Sequence, residues 1–131
     1  FKIVAQQDGG AALDKSMELA EDIITASPDM DAFFCINDPS ALGAAAAIKA
    51  ANKTGKIGVY SIDASPDGKQ ALLDGEFTAV ACQVPVQIAD YSFKEAVKYV
   101  NGDTKIDEKK VYLDSHLVSK DEAEKTLKEW Q

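Results

Sequence analysis

The sequence has 131 residues, with 22 acidic and 14 basic side chains and a net charge of −8. This length is typical of at most one ordinary domain, and a composition of 46% hydrophobic and 27% charged residues is typical of a globular chain. Because acidic residues are in excess and no arginine is present, a basic face for a nucleic-acid backbone is not expected. No apolar run reaches the length of about 18 residues that a membrane span needs.

Strand-like and helix-like patterns alternate from the start of the chain. An apolar run predicts a strand over residues 1–5, and apolar residues at helical spacing predict a helix over 13–26. The continuous apolar run at 31–36 is typical of a parallel strand that is covered on both faces. We interpret Asp38, which precedes a proline, as the N-cap of a helix of small residues that ends near Gly55.

The alternation continues through the second half. Strands are predicted over 56–62 and 77–84, and a short helix begins at Ser65, followed by a proline, and ends near residue 73. A longer helix with apolar residues at helical spacing is predicted over 86–101.

A short strand at 109–113 and a final helix complete the predicted elements. Ser119 and Glu122 have the spacing of a capping box, which predicts the start of that helix. Strands separated by helices indicate βαβ crossovers, so we predict an α/β fold with a doubly wound, largely parallel sheet and helices on both faces.

Three predicted strands end in a polar side chain at the same depth: Asn37, Asp63 and Gln83. Ligands of open α/β sheets bind beyond the carboxyl ends of the strands. A carboxylate accepts hydrogen bonds, and carboxamides both donate and accept, so the three suit a neutral polyhydroxylated ligand. Each also has a purely local alternative: Asn37 as a helix cap, Asp63 as a turn residue and Gln83 as a solvated strand end.

The sequence contains no motif for nucleotide binding, nucleophilic catalysis or metal binding. The sequence has no nucleotide-binding glycine pattern after a strand and no G-x-S-x-G nucleophile elbow. The single histidine, His116, has no cysteine or second histidine nearby, so a surface position is favoured over a metal ligand. We therefore expect no cofactor, no metal and no enzymatic activity. A sugar isomerase or hydrolase built on the same sheet is the enzymatic alternative.

Two cysteines, Cys35 and Cys82, lie in apolar runs and are expected to be buried free thiols. If the strand at 56–62 lies between their strands, the sulfurs are two strand spacings apart, roughly 10 Å, which is too far for a disulfide.

The segments "INDPSALGA", "SIDASPDGKQALLDG" and "ACQVP" together resemble the carboxyl-terminal half of periplasmic sugar-binding proteins of the ribose, galactose and allose type, the solute receptors of ABC importers. The resemblance covers nearly the whole chain. It implies the partial form of the type I periplasmic-binding-protein fold, one lobe plus pieces of the other. It also implies that Asn37, Asp63 and Gln83 bind sugar hydroxyls, with Gln83 at the hinge between the lobes.

One loop departs from the family pattern. Where the family places an aromatic residue that packs on the sugar, this chain has "DGGAALD", with Ala11 or Ala12 at that position. Ala11 is therefore a candidate for the rim of the site, and Asp8 is a weaker one.

The resemblance also implies a division of the chain and a set of partners. Residues 1–83 would belong to the sugar-binding lobe, 84–118 would cross the hinge and pack on an absent amino-terminal half, and 119–131 would form the last helix. The partners would be a sugar, that amino-terminal half and the membrane subunits of an ABC permease, with no nucleic acid. The location would be the periplasm, or the outer face of the cell with a lipid anchor. The alternative is the ligand-sensing domain of a lactose-repressor-type regulator.

Overall fold

The computed structural model describes residues 1–103 and 110–130. Helices and strands alternate through most of this part of the chain, as the sequence predicts. The elements are α1 (Leu13–Ala26), β1 (Ala32–Phe34), α2 (Asp38–Ala50), β2 (Gly58–Asp63), α3 (Pro66–Leu73), β3 (Ala79–Cys82), α4 (Pro85–Val100) and α5 (Lys120–Lys125). Among the described residues, no helix combines the length and the apolar character that crossing a membrane requires.

The three strands form one parallel sheet in the order β1-β2-β3. Phe34 pairs with Tyr60, and Asp63 pairs with Cys82, so the carboxyl ends of the strands meet at one edge. The predicted α/β class and parallel sheet are confirmed. The predicted position of β2 between the two cysteine-bearing segments is confirmed as well.

The core lies on one face of this sheet. Alternate residues of β2 and β3 are buried there, namely Val59, Ser61, Val80 and Cys82. On the opposite face Phe34 and Tyr60 are 73% and 41% exposed. The described residues therefore cover one face of the sheet far better than the other.

Helix α2 packs closely on its neighbours because its residues are small. Gly43 faces α1, and a Cβ atom there would lie 2.4 Å from the carbonyl oxygen of Leu13 and 2.8 Å from the backbone nitrogen of Met17. A larger residue at Gly43 would force the two helices apart.

The N-cap of α2 is Asn37, so the interpretation of Asp38 as the cap is wrong by one residue. Asn37 has extended backbone and its side chain accepts a hydrogen bond from Ser40 N, whereas Asp38 is already helical. The cap of α3 is Ser65, as predicted, and its side chain accepts from Gly68 N.

Two predicted strands are absent from the described residues. Residues 1–5 are exposed and pair with no strand, because the described chain offers them no ladder partner. Residues 110–113 are not a strand either, and residue 109 lies outside the described part. The free edge of β3 is instead met at Leu117, which forms a single antiparallel bridge with Ala81.

Helix α4 forms where it was predicted but buries none of its residues. Its large apolar side chains face outward: Val86, Ile88, Tyr91, Phe93, Val97, Tyr99 and Val100 are between 39% and 83% exposed. Val111, beyond the helix, is also exposed at 37%. Val86, Phe93, Val97 and Val100 share one face of the helix, and Ile88, Tyr91 and Tyr99 lie on the opposite side. Both groups lack a partner among the described residues.

Helix α5 is short and is held at both ends. Ser119 caps it by accepting from Glu122 N, as the capping-box spacing predicts, while the Glu122 carboxylate lies 2.8 Å from Nε2 of the half-exposed His116. At the other end the fully buried Lys69 of α3 donates from Nζ to the carbonyl oxygens of Thr126 and Glu129. An ammonium group at the carboxyl end of a helix also complements the helix dipole.

Cys35 and Cys82 are both free and buried. Burial raises the pKa of the Cys35 thiol to about 11, since the surroundings disfavour the thiolate.

Candidate functional site

The carboxyl edge of the sheet brings two of the predicted residues into contact. Gln83 Nε2 donates a hydrogen bond to Asp63 Oδ1 at 2.6 Å. Asp63 ends β2 and pairs with Cys82, so Gln83, the next residue, leaves β3 beside it. A carboxylate only accepts, which fixes the amide orientation: the nitrogen of Gln83 faces Asp63 and its oxygen is directed elsewhere as an acceptor.

Asn37 lies at the equivalent depth on the next strand segment. It stands three residues after Phe34, just as Asp63 stands three residues after the paired Tyr60. Its Oδ1 accepts from Ser40 N at 3.1 Å, and its Nδ2 donates to the carbonyl oxygen of Ala11 at 3.2 Å. Asn37 is thus a helix cap and a loop anchor, and it keeps one N–H and one oxygen lone pair for a further partner.

The two rim candidates lie on the loop before α1. Asp8 is exposed, and its Oδ1 accepts a hydrogen bond from Gly10 N at 2.8 Å, so this contact stays within its own loop. Ala11 is also exposed and has a φ of 55°. The Ala11 carbonyl contacts Asn37 directly, whereas the Asp8 carboxylate bonds to Gly10 of its own loop.

The pKa of Asp63 is raised above its ordinary value. Burial is the largest cause, and the negative charge of Asp38 adds to it. Hydrogen bonds from Asp38 N and from the Gln83 side chain act in the opposite direction. No lysine or histidine of the described residues forms an ion pair with Asp63.

The backbone at this edge adopts unusual conformations. Asp63 has a φ of 126°, Ala64 one of 57°, and Val84, next to Gln83, one of 48°. Residues with side chains rarely take positive φ values, and for a β-branched residue such as Val84 they are a clear outlier. Such conformations cluster at functional sites, where the surrounding structure holds them.

Asp38 belongs to the same edge, and the sequence analysis missed its place there because it assigned Asp38 only to the role of helix N-cap. It is fully buried beneath Asp63 and accepts hydrogen bonds from Ser61 and Ser65. The available signal was the pair of serines that flank the end of β2.

Other parts of the molecule offer less. Within residues 1–103 and 110–130, no cluster of three or more His, Cys, Asp or Glu side chains is arranged to hold a metal ion. A hollow of about 290 Å³ lies beside the Lys49–Glu76 ion pair, near Gly58 at the start of β2 and therefore away from the carboxyl edge. It includes none of Asn37, Asp63 and Gln83.

Comparison with known proteins identifies the kind of chain. Residues 1–104 match the family model described as "Periplasmic binding protein domain". The ribose import binding protein RbsB of Salmonella typhimurium is 34% identical over 103 residues, which cover 79% of this chain and 34% of that protein.

Solved structures show the same architecture. A galactofuranose binding protein superposes with a TM-score of 0.86 at 33% identity, over 96% of this chain and 44% of that one. A periplasmic solute binding protein of an ABC transporter from Actinobacillus succinogenes, with bound D-allose, gives a TM-score of 0.87 at 26% identity over 95% and 43%. The chain thus spans between a third and a half of the length of these proteins.

Proposed function

The chain belongs to the periplasmic binding protein domain family, and on that premise we propose that it is the sugar-binding part of a solute receptor for ABC-type import. Its fold is the type I fold of these receptors in partial form. The observation that carries the proposal is the hydrogen bond between Gln83 and Asp63 at the carboxyl edge of the sheet, beside Asn37. This is the place where open α/β sheets bind ligands.

The ligand is a monosaccharide or a related polyol. Asp63 and the amide oxygen of Gln83 offer acceptors for hydroxyl protons, and the spare N–H of Asn37 offers a donor to a hydroxyl oxygen. In the described part of the chain no cation pairs with Asp63, which agrees with a neutral ligand. RbsB is named for ribose, and the two solved neighbours are described with galactofuranose and D-allose, which are all neutral polyhydroxylated molecules.

Ala11 and Asp8 form part of the rim in this proposal. Neither supplies an aromatic ring, so the stacking surface for the sugar comes from another segment. An aromatic ring supplies a large apolar contact area, so the segment that provides it affects affinity.

The receptor works by binding and not by catalysis. The relatives described above are binding proteins. The side chains of Asn37, Asp63 and Gln83 do not include a nucleophile that is hydrogen-bonded to a general base. In the intact receptor, closure of two lobes around the sugar satisfies its hydroxyls from both sides, which favours the closed form.

The second lobe is an amino-terminal half of the same receptor, and residues 84–118 form the crossing segment between the lobes. The support comes from α4, whose exposed apolar side chains lack a partner among the described residues. Exposed apolar surface of this extent is typical of an interaction site. Val84, which has a left-handed backbone, is the first residue of the crossing segment. Residues 1–83 belong to the sugar-binding lobe, and residues 119–131 form the carboxyl-terminal segment.

The partners are the sugar, the amino-terminal half and the membrane subunits of an ABC permease. The location that follows is the periplasm, or the outer face of the cell where a lipid anchor holds the receptor. A regulator's sensor domain would share the sheet but would bind DNA through a separate motif, and the relatives named here include no regulator.

The test is a ligand screen on the complete gene product, stripped of bound sugar by partial unfolding and refolding. Ribose, D-allose, galactose, myo-inositol and citrate are added singly, and the melting temperature is measured. A specific binder raises the melting temperature by mass action. The proposal predicts a saturable rise with a sugar or polyol and none with citrate. Binding of the anion alone, or turnover of a bound sugar, contradicts it.

A further inference from the structure

Asp38 is a buried carboxylate without a cationic partner among the described residues. Its side chain is fully buried, yet none of the ion pairs within residues 1–103 and 110–130 includes it. It accepts three hydrogen bonds instead: from Ser61 Oγ at 2.5 Å, from Ser65 N at 2.7 Å and from Ser65 Oγ at 2.7 Å. Burial of a charge is costly unless hydrogen-bond donors surround it, so these three donors are needed to keep the Asp38 carboxylate in its buried position.

Two helix starts also converge on this carboxylate. Asp38 is the first residue of α2, and Ser65 is the N-cap of α3. The Ser65 hydroxyl donates its single proton to Asp38 and accepts from Gly68 N at 3.0 Å. The cap of α3 and the Asp38 carboxylate therefore belong to one continuous hydrogen-bond network. The positive ends of both helix dipoles stabilise the negative charge.

Gly68 is necessary for this packing. A Cβ atom at residue 68 would lie 2.1 Å from Asp38 Oδ2, which leaves no room for any side chain beside the carboxylate.

The segment held in this way carries the candidate ligand-binding carboxylate. Ser61 lies on β2 and Ser65 just before α3, and both are bound to Asp38, so the carboxylate ties together the two ends of residues 61–65. Between them lie Asp63 and Ala64, with φ values of 126° and 57°. The backbone N–H of Asp38 also points at Asp63 Oδ2, at 3.5 Å.

We propose that Asp38 is a positioning residue for Asp63: by holding both ends of the turn at 61–65, it keeps the Asp63 carboxylate in contact with Gln83 and directed at the sugar. This rests on the proposed function for its effect on affinity. Its effect on the Asp63–Gln83 contact does not depend on any ligand.

The test compares Asp38→Ala with Ile48→Ala in the complete gene product. Ile48 is buried in the same helix, ten residues away or about 15 Å along the axis, so its truncation is expected to lower stability without disturbing residues 61–65. Titration calorimetry is run well below both melting temperatures. Asp38→Ala is expected to weaken sugar binding by about tenfold or more, and Ile48→Ala to leave it within about twofold. Equal affinities for the two variants overturn the proposal.

A milder series covers the case in which Asp38→Ala does not fold. Asp38→Asn keeps an acceptor for Ser65 N and is expected to bind with intermediate affinity. Ser61→Ala removes one donor and leaves the carboxylate in place, with an expected loss of about threefold to tenfold. Unchanged affinity in both variants contradicts the positioning role.

A readout without sugar separates this inference from the proposed function. The NMR resonances of the Gln83 side-chain amide report its hydrogen bond to Asp63. Asp38→Asn or Asp38→Ala is expected to shift them toward the values of a free amide, and Ile48→Ala is not. Unmoved resonances in the Asp38 variants overturn the inference. If the wild-type protein binds no sugar, the proposed function is wrong, but the positioning of Asp63 by Asp38 is not contradicted.

Discussion

Gln83 Nε2 donates to Asp63 Oδ1 at 2.6 Å, and this contact joins the ends of two neighbouring parallel strands. A second glutamine of the chain forms the same kind of pair on the surface: Gln70 Nε2 donates to Asp74 Oδ1 at 2.9 Å within one turn of helix. The two Gln–Asp pairs have the same chemistry, but only the Gln83–Asp63 pair lies at the carboxyl edge of the sheet. The Gln70–Asp74 pair therefore serves as the control.

Replacement of Gln83 by Ala is expected to weaken sugar binding by about tenfold to a hundredfold. The variant removes an acceptor for a ligand hydroxyl and the amide that holds the Asp63 carboxylate, whose own hydrogen bonds to the ligand are of the charged kind, worth about 1.5–3 kcal/mol. Gln70→Ala is expected to leave affinity unchanged. Isothermal titration of the complete gene product measures both, and equal affinities would return Gln83 to the role of a solvated strand end.

Asp63→Asn is expected to weaken binding but to raise the melting temperature slightly at neutral pH. The pKa of Asp63 is raised in the folded state, mainly by burial, so its ionised form is disfavoured there. Its contribution to stability is therefore fully present below the unfolded pKa and is lost as the pH rises through the folded pKa. The gain from Asp63→Asn should consequently shrink as the pH falls toward the ordinary range for Asp.

The measurement is a set of melting curves from neutral to acidic pH, with Asp74→Asn as the control. A melting temperature for Asp63→Asn that falls below wild type at neutral pH would show that the carboxylate is needed for folding. In the wild type, sugar affinity should also decline as the pH falls through the raised pKa, because a protonated Asp63 loses part of its capacity to accept hydroxyl protons.

Asn37→Ala and Asn37→Ser separate the two roles of Asn37. The alanine variant loses the cap of α2, with a cost of about 1 kcal/mol in the free energy of unfolding. Serine restores the cap but is too short to replace the contact with the Ala11 carbonyl or with a ligand. We expect Asn37→Ser to recover the melting temperature and not the sugar affinity. Full affinity in Asn37→Ser would mean that Asn37 is only a cap.

Ile88→Asp tests whether the exposed apolar side chains of α4 are covered in the complete gene product. Ile88 is 46% exposed in the chain described here, so the substitution would cost little if nothing packed there. Against an amino-terminal lobe it would bury an unpaired charge, and we expect a loss of more than about 2 kcal/mol in chemical denaturation. Gln87→Asp, on the neighbouring exposed position, is the control. Equal stabilities of the two variants would refute the assignment of 84–118.

The sequence predicts elements well where local signals and tertiary partners agree. Helix α1 occupies the predicted residues 13–26, and Ser65 caps α3 as its position before a proline indicates. The strands predicted at 1–5 and 109–113 depend on a neighbour, and local composition cannot supply one. The cap of α2 was misplaced by one residue because Asn37 and Asp38 are both good cap residues, and only the backbone separates them.

The sequence predicts part of the candidate site, namely the residues whose position follows from the pairing of parallel strands. Asp63 and Gln83 follow apolar strands, so their arrival at one edge follows from parallel pairing alone. The burial of Asp38 does not follow from its own neighbours in sequence. It depends on Ser61 and Ser65, which β2 brings to it from 23 and 27 residues away.

The most direct measurement is a crystal structure of the complete gene product with the sugar that the screen selects. We expect sugar hydroxyl oxygens within hydrogen-bond distance of the Asp63 carboxylate and the side-chain amides of Gln83 and Asn37. A sugar bound elsewhere, with these three side chains directed only at protein atoms, would contradict it.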